Sequence, residues 1–456
     1  MSKYLTNYFR CAEDLAELIP GAPLSEDEGY FALGKKIVCY GRSSAGRRSP
    51  DPELIDYDAL ADVTLSNSQA TLPFEPDEII RNFYYERYAR KKLSPLDRLR
   101  RNVIREVYYL LRPIIPLAIR RYLQKWSLRD WQTLRFPQWP VDSTVDSQMR
   151  ELLRLAIKSS GLNEVPFLWF WPDGAEACAI MTHDVETQRG VKLSSHIMDM
   201  DQSFGIPSSF QIVPEDSYQV DQEYLDSLCN RGFEVNVQDL NHDGRLFHNK
   251  EEFKKRAAKI NRYRERFGAR GFRSAVLYRN QEWFDLLDFD YDMSVPNVAH
   301  LDPQRGGCCT VMPYFIGPLV ELPVTTTQDY SLFHILNDYT LDLWEQQVSS
   351  ILKNNGLISF IVHPDYINGP RENKIYRDLL AMMAALRSER NVWLAYPGEV
   401  ATWWKQRSQM KLTCNNGRWE ADGPGSERAV VALAAIDGEQ LRFTVNAEAP
   451  RTKVIL

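Results

Sequence analysis

The sequence predicts an α/β chain centred on a distorted (β/α) barrel over residues 166–405, with an N-terminal α+β region (1–165) before it and a small β element (406–456) after it. Three observations carry that expectation. Short apolar runs recur through the middle of the chain, charged helical stretches separate several of them, and polar residues gather just after the runs. Strands that alternate with helices pair in parallel, because a parallel pair needs a long crossover. About seven such units suit a closed barrel better than a single open sheet.

The N-terminal region begins without an apolar h-region or a small-residue cleavage site, so no signal peptide is expected. Residues 36–40 are strand-like, and from Pro76 the pattern turns helical. Residues 91–130 hold eleven Lys or Arg, interleaved with apolar and aromatic residues such as Tyr108, Ile114, Ile119 and Trp126. Pro113 and Pro116 break this basic amphipathic stretch into two short helices or one kinked helix. Two readings stand for it: a solvated basic face over a core-facing stripe, or a surface that rests on anionic lipid.

Apolar runs mark the barrel strands at 177–182, 208–213, 233–237, 272–277, 319–324, 357–362 and 392–395, with helical stretches at 249–267, 333–355 and 370–390. The C-terminal element reads as two strands joined by the turn Asp437-Gly438.

Composition narrows the function classes. A net charge of −6 gives no reason to expect nucleic acid as a partner. The seven cysteines form no C-x-x-C pair, which fits reduced thiols in a cytosolic protein better than a disulfide framework or a cysteine-built metal site. No apolar run is long enough to span a bilayer. The expected location is the cytoplasm, with the basic stretch as a means of docking at the inner membrane face.

The residues that can do chemistry follow the strand runs. Thr182-His183-Asp184-Val185-Glu186 follows the first, and Gln238-Asp239-Leu240-Asn241-His242 follows the third. The fourth carries Arg273, Tyr291-Asp292 comes next, and the sixth ends in Val362-His363-Pro364-Asp365. In a (β/α) barrel the C-terminal ends of the parallel strands meet on one face, so these side chains are expected to share a pocket.

Their order resembles the polysaccharide deacetylase family, also called the NodB-homology or carbohydrate esterase 4 group, over about residues 175–400. The resemblance implies a barrel of the polysaccharide deacetylase type and a metal-dependent deacetylase acting on an amino-sugar glycan or its precursor. T-H-D-V-E looks like a spaced form of the family's first motif, which makes Asp184 the catalytic base and Glu186 a metal ligand. Gln238 and His242 fall where the family has two metal-binding His. Arg273 matches an arginine that positions the base, and Asp292 an acid that holds that arginine. His363, in L-I-S-F-I-V-H-P, matches the general acid. The implied cofactor is a divalent metal, with Zn²⁺ as the expectation.

Two departures stand out. Ala275 replaces the family's Pro after the arginine, and Gln238 replaces a His. A carboxamide oxygen is a poorer Zn²⁺ ligand than imidazole. The site then binds metal weakly or prefers a harder ion, or Asp239 or His183 completes the set. Alternatively, the chain is a catalytically impaired glycan-binding protein on the same barrel.

Overall fold

The computed structural model describes residues 2–11, 15–90 and 117–445. Two compact units interleave along the chain. One comprises Met1–Tyr85, Ser143–Cys178 and Val400–Leu456; the other comprises Glu86–Asp142 and Ala179–Glu399.

The second unit is built on a nine-stranded sheet: β1 (Ala177–Val185), β2 (Ser208–Ile212), β3 (Glu234–Gln238), β4 (Gly271–Arg273), β5 (Tyr291–Asp292), β6 (Tyr314–Ile316), β7 (Leu319–Glu321), β8 (Leu357–Val362) and β9 (Val392–Leu394). The strand order is β6-β7-β5-β4-β3-β2-β1-β8, and β9 also pairs with β1. From β1 through β5 to β7 every neighbouring pair is parallel, and the β6–β7 hairpin is antiparallel. This is the distorted barrel. Between the chain just past β7 and the edge strand β8, side chains stand in for a ladder. Thr325 Oγ1 donates to the Leu357 carbonyl at 2.7 Å and accepts from Ser359 N–H at 2.9 Å. Thr326 Oγ1 donates to the Ser359 carbonyl at 2.8 Å.

The crossovers include α1 (Gln188–Phe204), α2 (Gln222–Asn230), α3 (Lys250–Phe267), α4 (Asp342–Leu352) and α5 (Pro370–Arg390). Local sequence sets their ends. The Thr187 hydroxyl caps α1 by accepting from Arg189 and Gly190 N–H, and the Asn249 side chain caps α3 from Glu252 N–H. Gly205 and Gly268 close the same two helices at φ 63°. Since Thr187 is the α1 cap, Asp184 is free for other work.

Two elements depart from the sequence reading. The run at 272–277 is strand only to Arg273, because Ser274 N–H turns to Ser294 Oγ (2.8 Å) and Ala275 N–H to Asp239 Oδ2 (3.4 Å). Val276 and Leu277 follow at φ 58° and 52°, a left-handed bend that seats Leu277 with Val324 and Ile361 in a buried cluster. The expected helix at 333–355 is two pieces, a π-helical turn Ser331–Leu336 and α4. Asn337 at φ 56° ends the first, a conformation Asn tolerates better than most residues.

In the first unit, the C-terminal strands Val431–Asp437 and Gln440–Val445 form the expected hairpin, with Gly438 at φ 61° in its turn. The hairpin adds strand Glu164–Leu168 on its open edge. Phe167 packs between Phe9 and Phe443, with ring centroids at 5.6 and 5.1 Å. Arg407 is buried and donates to the carbonyls of Tyr8, Leu168 and Trp169. The aromatic run at 167–171 and Trp403-Trp404 are core.

Of the basic stretch 91–130, residues 91–116 lie outside the described residues, and Leu117–Ser127 is a helix. Among the described residues no helix is long and apolar enough to cross a membrane.

Candidate active site

The side chains that the sequence placed after separate strands meet at the C-terminal ends of β1, β3 and β4 and just past β8. Asp184 and Glu186 are two residues apart at the end of β1, which puts both on one face. Gln238 ends β3 and is the register partner of Arg273, which ends β4. His363 follows β8 directly.

Arg273 is fully buried, and its Nη1 donates to Asp184 Oδ1 at 2.6 Å and to Thr182 Oγ1 at 2.8 Å. Its Nε donates to the Met293 carbonyl at 3.1 Å. The guanidinium is therefore aimed from behind by a carbonyl and a hydroxyl, and Asp184 has one fixed partner on its inner oxygen. Asp292, expected to hold Arg273, makes no direct hydrogen bond to it; it accepts from Ser294 N–H (2.6 Å) and Ser294 Oγ (2.9 Å), and the Arg273 charge acts on it through space. Asp292 is the register partner of Glu321 on β7, so two buried carboxyls face each other. Burial pushes Asp292 up to about 6, and burial with the Asp292 charge holds Glu321 well above the carboxylate range. Raising both carboxyls favours one proton on the pair over two facing charges, which is how like charges on adjacent strands are tolerated.

Glu186 Oε1 is the hub of the cluster. His242 Nε2 lies 2.7 Å from it, Gln238 Nε2 3.2 Å and His363 Nε2 3.5 Å. Burial opposes the Glu186 charge, but the imidazoles of His242 and His363 outweigh it and hold the carboxyl well below its usual range. The Gln238 amide nitrogen also donates to Asp184 Oδ2 at 3.3 Å, so it bridges the two carboxylates. Its Oε1 is buried and accepts no hydrogen bond among the described residues.

His363 is held from behind by Asp329, a residue the sequence reading missed. Asp329 Oδ1 lies 2.6 Å from His363 Nδ1, and Oδ2 accepts the His363 backbone N–H at 2.7 Å. Burial lowers the imidazole's proton affinity, but the Asp329 carboxylate, with Glu186 beyond it, reverses that and raises its pKa well above the ordinary value. The Tyr366 ring packs on His363 at 5.0 Å. The available signal was the Asp closing Thr325-Thr326-Thr327-Gln328-Asp329 just past the β7 run.

The donor set can accept a cation. One ligand atom each from Asp184, Glu186 and His363 lies within 4.8 Å of the others, and His242 adjoins Glu186. Two carboxylates with imidazole suit a divalent ion. A half-turn of the Gln238 amide exchanges its nitrogen for the unpartnered oxygen and turns a bridging donor into a further ligand. His183 and Asp239 do not complete the set. His183 points to the opposite face, with Nε2 at 2.8 Å from Asp201 and Nδ1 at 3.3 Å from the Val362 carbonyl. The Asp239 carboxylate is taken by Leu240 N–H and Ala275 N–H.

No family model matches the sequence, and no curated protein does. Solved structures similar to the chain include polysaccharide deacetylases and members of the CE4 family, at low identity over about half its length. A protein described as a polysaccharide deacetylase from Mycobacterium smegmatis is 18% identical, with TM-score 0.43, over 52% of this chain and 93% of that one. The Puue allantoinase is 13% identical, with TM-score 0.40, over 51% of this chain and 92% of its own. A CE4 family pseudoenzyme, the BA3943 mutant, is 13% identical, with TM-score 0.33, over 49% of this chain and 67% of that one.

Proposed function

We propose that this chain is a hydrolase that removes an N-acetyl or related acyl group from an amino-sugar unit of a glycan or glycan precursor. One observation carries the reading. A carboxylate fixed by a buried arginine and an imidazole backed by a buried carboxylate converge on Glu186, within reach of one small ligand. Such a pair supplies a base and an acid to opposite sides of a reacting carbonyl.

A divalent cation, Zn²⁺ first, would be held by Glu186, His242 and the Gln238 oxygen, and would supply Lewis-acid polarisation of the acyl carbonyl. Asp184 takes the proton of the attacking water through its outer oxygen while Arg273 fixes the inner one. His363, charged because of Asp329, gives the Nε2 proton to the departing amine. Glu186 between them keeps that proton directed into the site.

Metal analysis followed by acetate release from acetylated chito-oligosaccharides tests the proposal. The expected result is metal-dependent release that Asp184→Asn and His363→Ala each reduce by about two or more orders of magnitude. Release that survives both substitutions would overturn the assignment. A second reading, glycan binding without turnover, is favoured by the Gln238 amide, which satisfies both carboxylates without a cation. Calorimetry with chelator-treated protein separates the two: undiminished sugar binding with no acetate release supports the binding protein.

A further inference from the structure

We infer that helix Leu117–Ser127 is a membrane-contact element that seats the proposed active site against an anionic phospholipid bilayer. Seven large hydrophobic residues are exposed among the described residues, and four of them lie on this one helix: Ile119 at 50%, Tyr122 at 69%, Leu123 at 38% and Trp126 at 58%. Their spacing, i, i+3, i+4 and i+7, makes a single apolar stripe. Folded helices turn such a stripe inward; this one turns it out. Patches of this kind mark contact sites.

Charge selects the occupant. The helix contains no acidic residue, and Arg120, Arg121 and Lys125 lie within it. Arg129 follows, with its guanidinium 4.5 Å over the Trp126 ring. Over residues 117–130 the chain has four basic residues against one acidic one, while the whole chain carries −6. An apolar stripe with Trp and Tyr, flanked by Lys and Arg, fits the headgroup boundary of an anionic bilayer: rings settle among the acyl ends and cations among the phosphates.

The helix's attachment ties this surface to the chemistry. On its other face Gln124 Oε1 accepts from Tyr330 OH at 2.5 Å. The Tyr330 ring packs on Tyr366 at 5.5 Å, and Tyr366 packs on His363. Two side chains, Tyr330 and Tyr366, thus separate the lipid-facing helix from the proposed general acid. Resting on the hydrolase reading, the inference extends to substrate class: a glycan carried on a lipid, presented at the bilayer surface.

Vesicle flotation of the full chain tests it without relying on turnover. The wild type should float with phosphatidylcholine vesicles containing about a quarter phosphatidylglycerol, float poorly with pure phosphatidylcholine, and release at high salt. Tyr122→Ser/Trp126→Ser should lower the partition coefficient about tenfold or more, by loss of buried apolar surface. Lys125→Glu/Arg129→Glu should abolish the preference for the anionic lipid, and Leu54→Ser, an exposed leucine in the other unit, should change nothing. Acetate release from a soluble acetylated oligosaccharide is measured in parallel. Its absence would count against the hydrolase reading alone, and flotation would still judge the helix. Equal flotation of the Tyr122/Trp126 variant and wild type would overturn the inference. So would wild type that ignores anionic vesicles, or a light-scattering dimer that the same variant converts to monomer, which would give the stripe to a second copy of the chain.

Discussion

Asp329→Asn removes one negative charge from behind His363 and leaves an amide of nearly the same shape. The wild-type carboxylate makes two contacts there, to Nδ1 at 2.6 Å and to the backbone N–H at 2.7 Å. The amide oxygen can keep the second. The first is a hydrogen bond between charged groups in a buried site, worth about 1.5–3 kcal/mol. If the transition state uses the charged imidazole, that loss corresponds to roughly 10- to 150-fold in kcat. The pH profile gives the sign. Asp329 raises the His363 pKa, so without it the imidazole loses its proton at lower pH and the alkaline fall in rate moves down the scale. The assay is kcat for acetate release at saturating metal over about pH 5–9, with thermal melts to show that the variant is folded. KM should stay within about threefold, since no substrate contact is removed. A folded Asp329→Asn protein with wild-type kcat and an unmoved alkaline limb would refute the acid assignment for His363.

Other consequences are equally open to measurement. Arg273→Met leaves Asp184 buried without its partner and should cost about 3–5 kcal/mol of stability in urea denaturation, as breaking a buried pair does. Gln238→His replaces a carboxamide with imidazole and should tighten Zn²⁺ binding by about tenfold or more in competition titrations. Glu186 has a depressed folded pKa, so its contribution to stability is complete above about pH 4.3 and is lost as pH falls through the folded value. His363 has a raised one, so its contribution is complete below about pH 6.5 and is lost as pH rises through the folded value. The unfolding free-energy difference between wild type and Glu186→Gln, measured across pH in metal-free buffer, should therefore be largest between those limits.

Period and position made much of this architecture legible. Alternating apolar runs and charged helices gave the parallel core, because burial on both faces demands continuous apolar stretches. The rule that parallel strands end on one face is enough to gather Asp184, Glu186, Gln238, His242, Arg273 and His363 from the sequence. Strands as short as Tyr291–Asp292 leave no run to detect. The bend at Val276-Leu277 is set by hydrogen bonds to Asp239 and Ser294, partners far away in sequence. Asp329 was hidden for the same reason: an Asp in a polar loop declares no partner, and only the approach of β8 makes it the support of His363. Arg273 followed the opposite course with Asp292. The family resemblance implied a pair, but the guanidinium donates to Thr182 and Asp184, and Asp292 is hydrogen-bonded to Ser294 beside Glu321.

The threonine stitches beside β8 bear on how the acid is kept ready. Thr325 and Thr326 fasten that strand through hydroxyls, each worth about 1 kcal/mol, where a backbone ladder would act as one cooperative block. Asp329 hangs from one lip of this closure and His363 from the other. The two threonine hydroxyls therefore help hold carboxylate against imidazole across the closure.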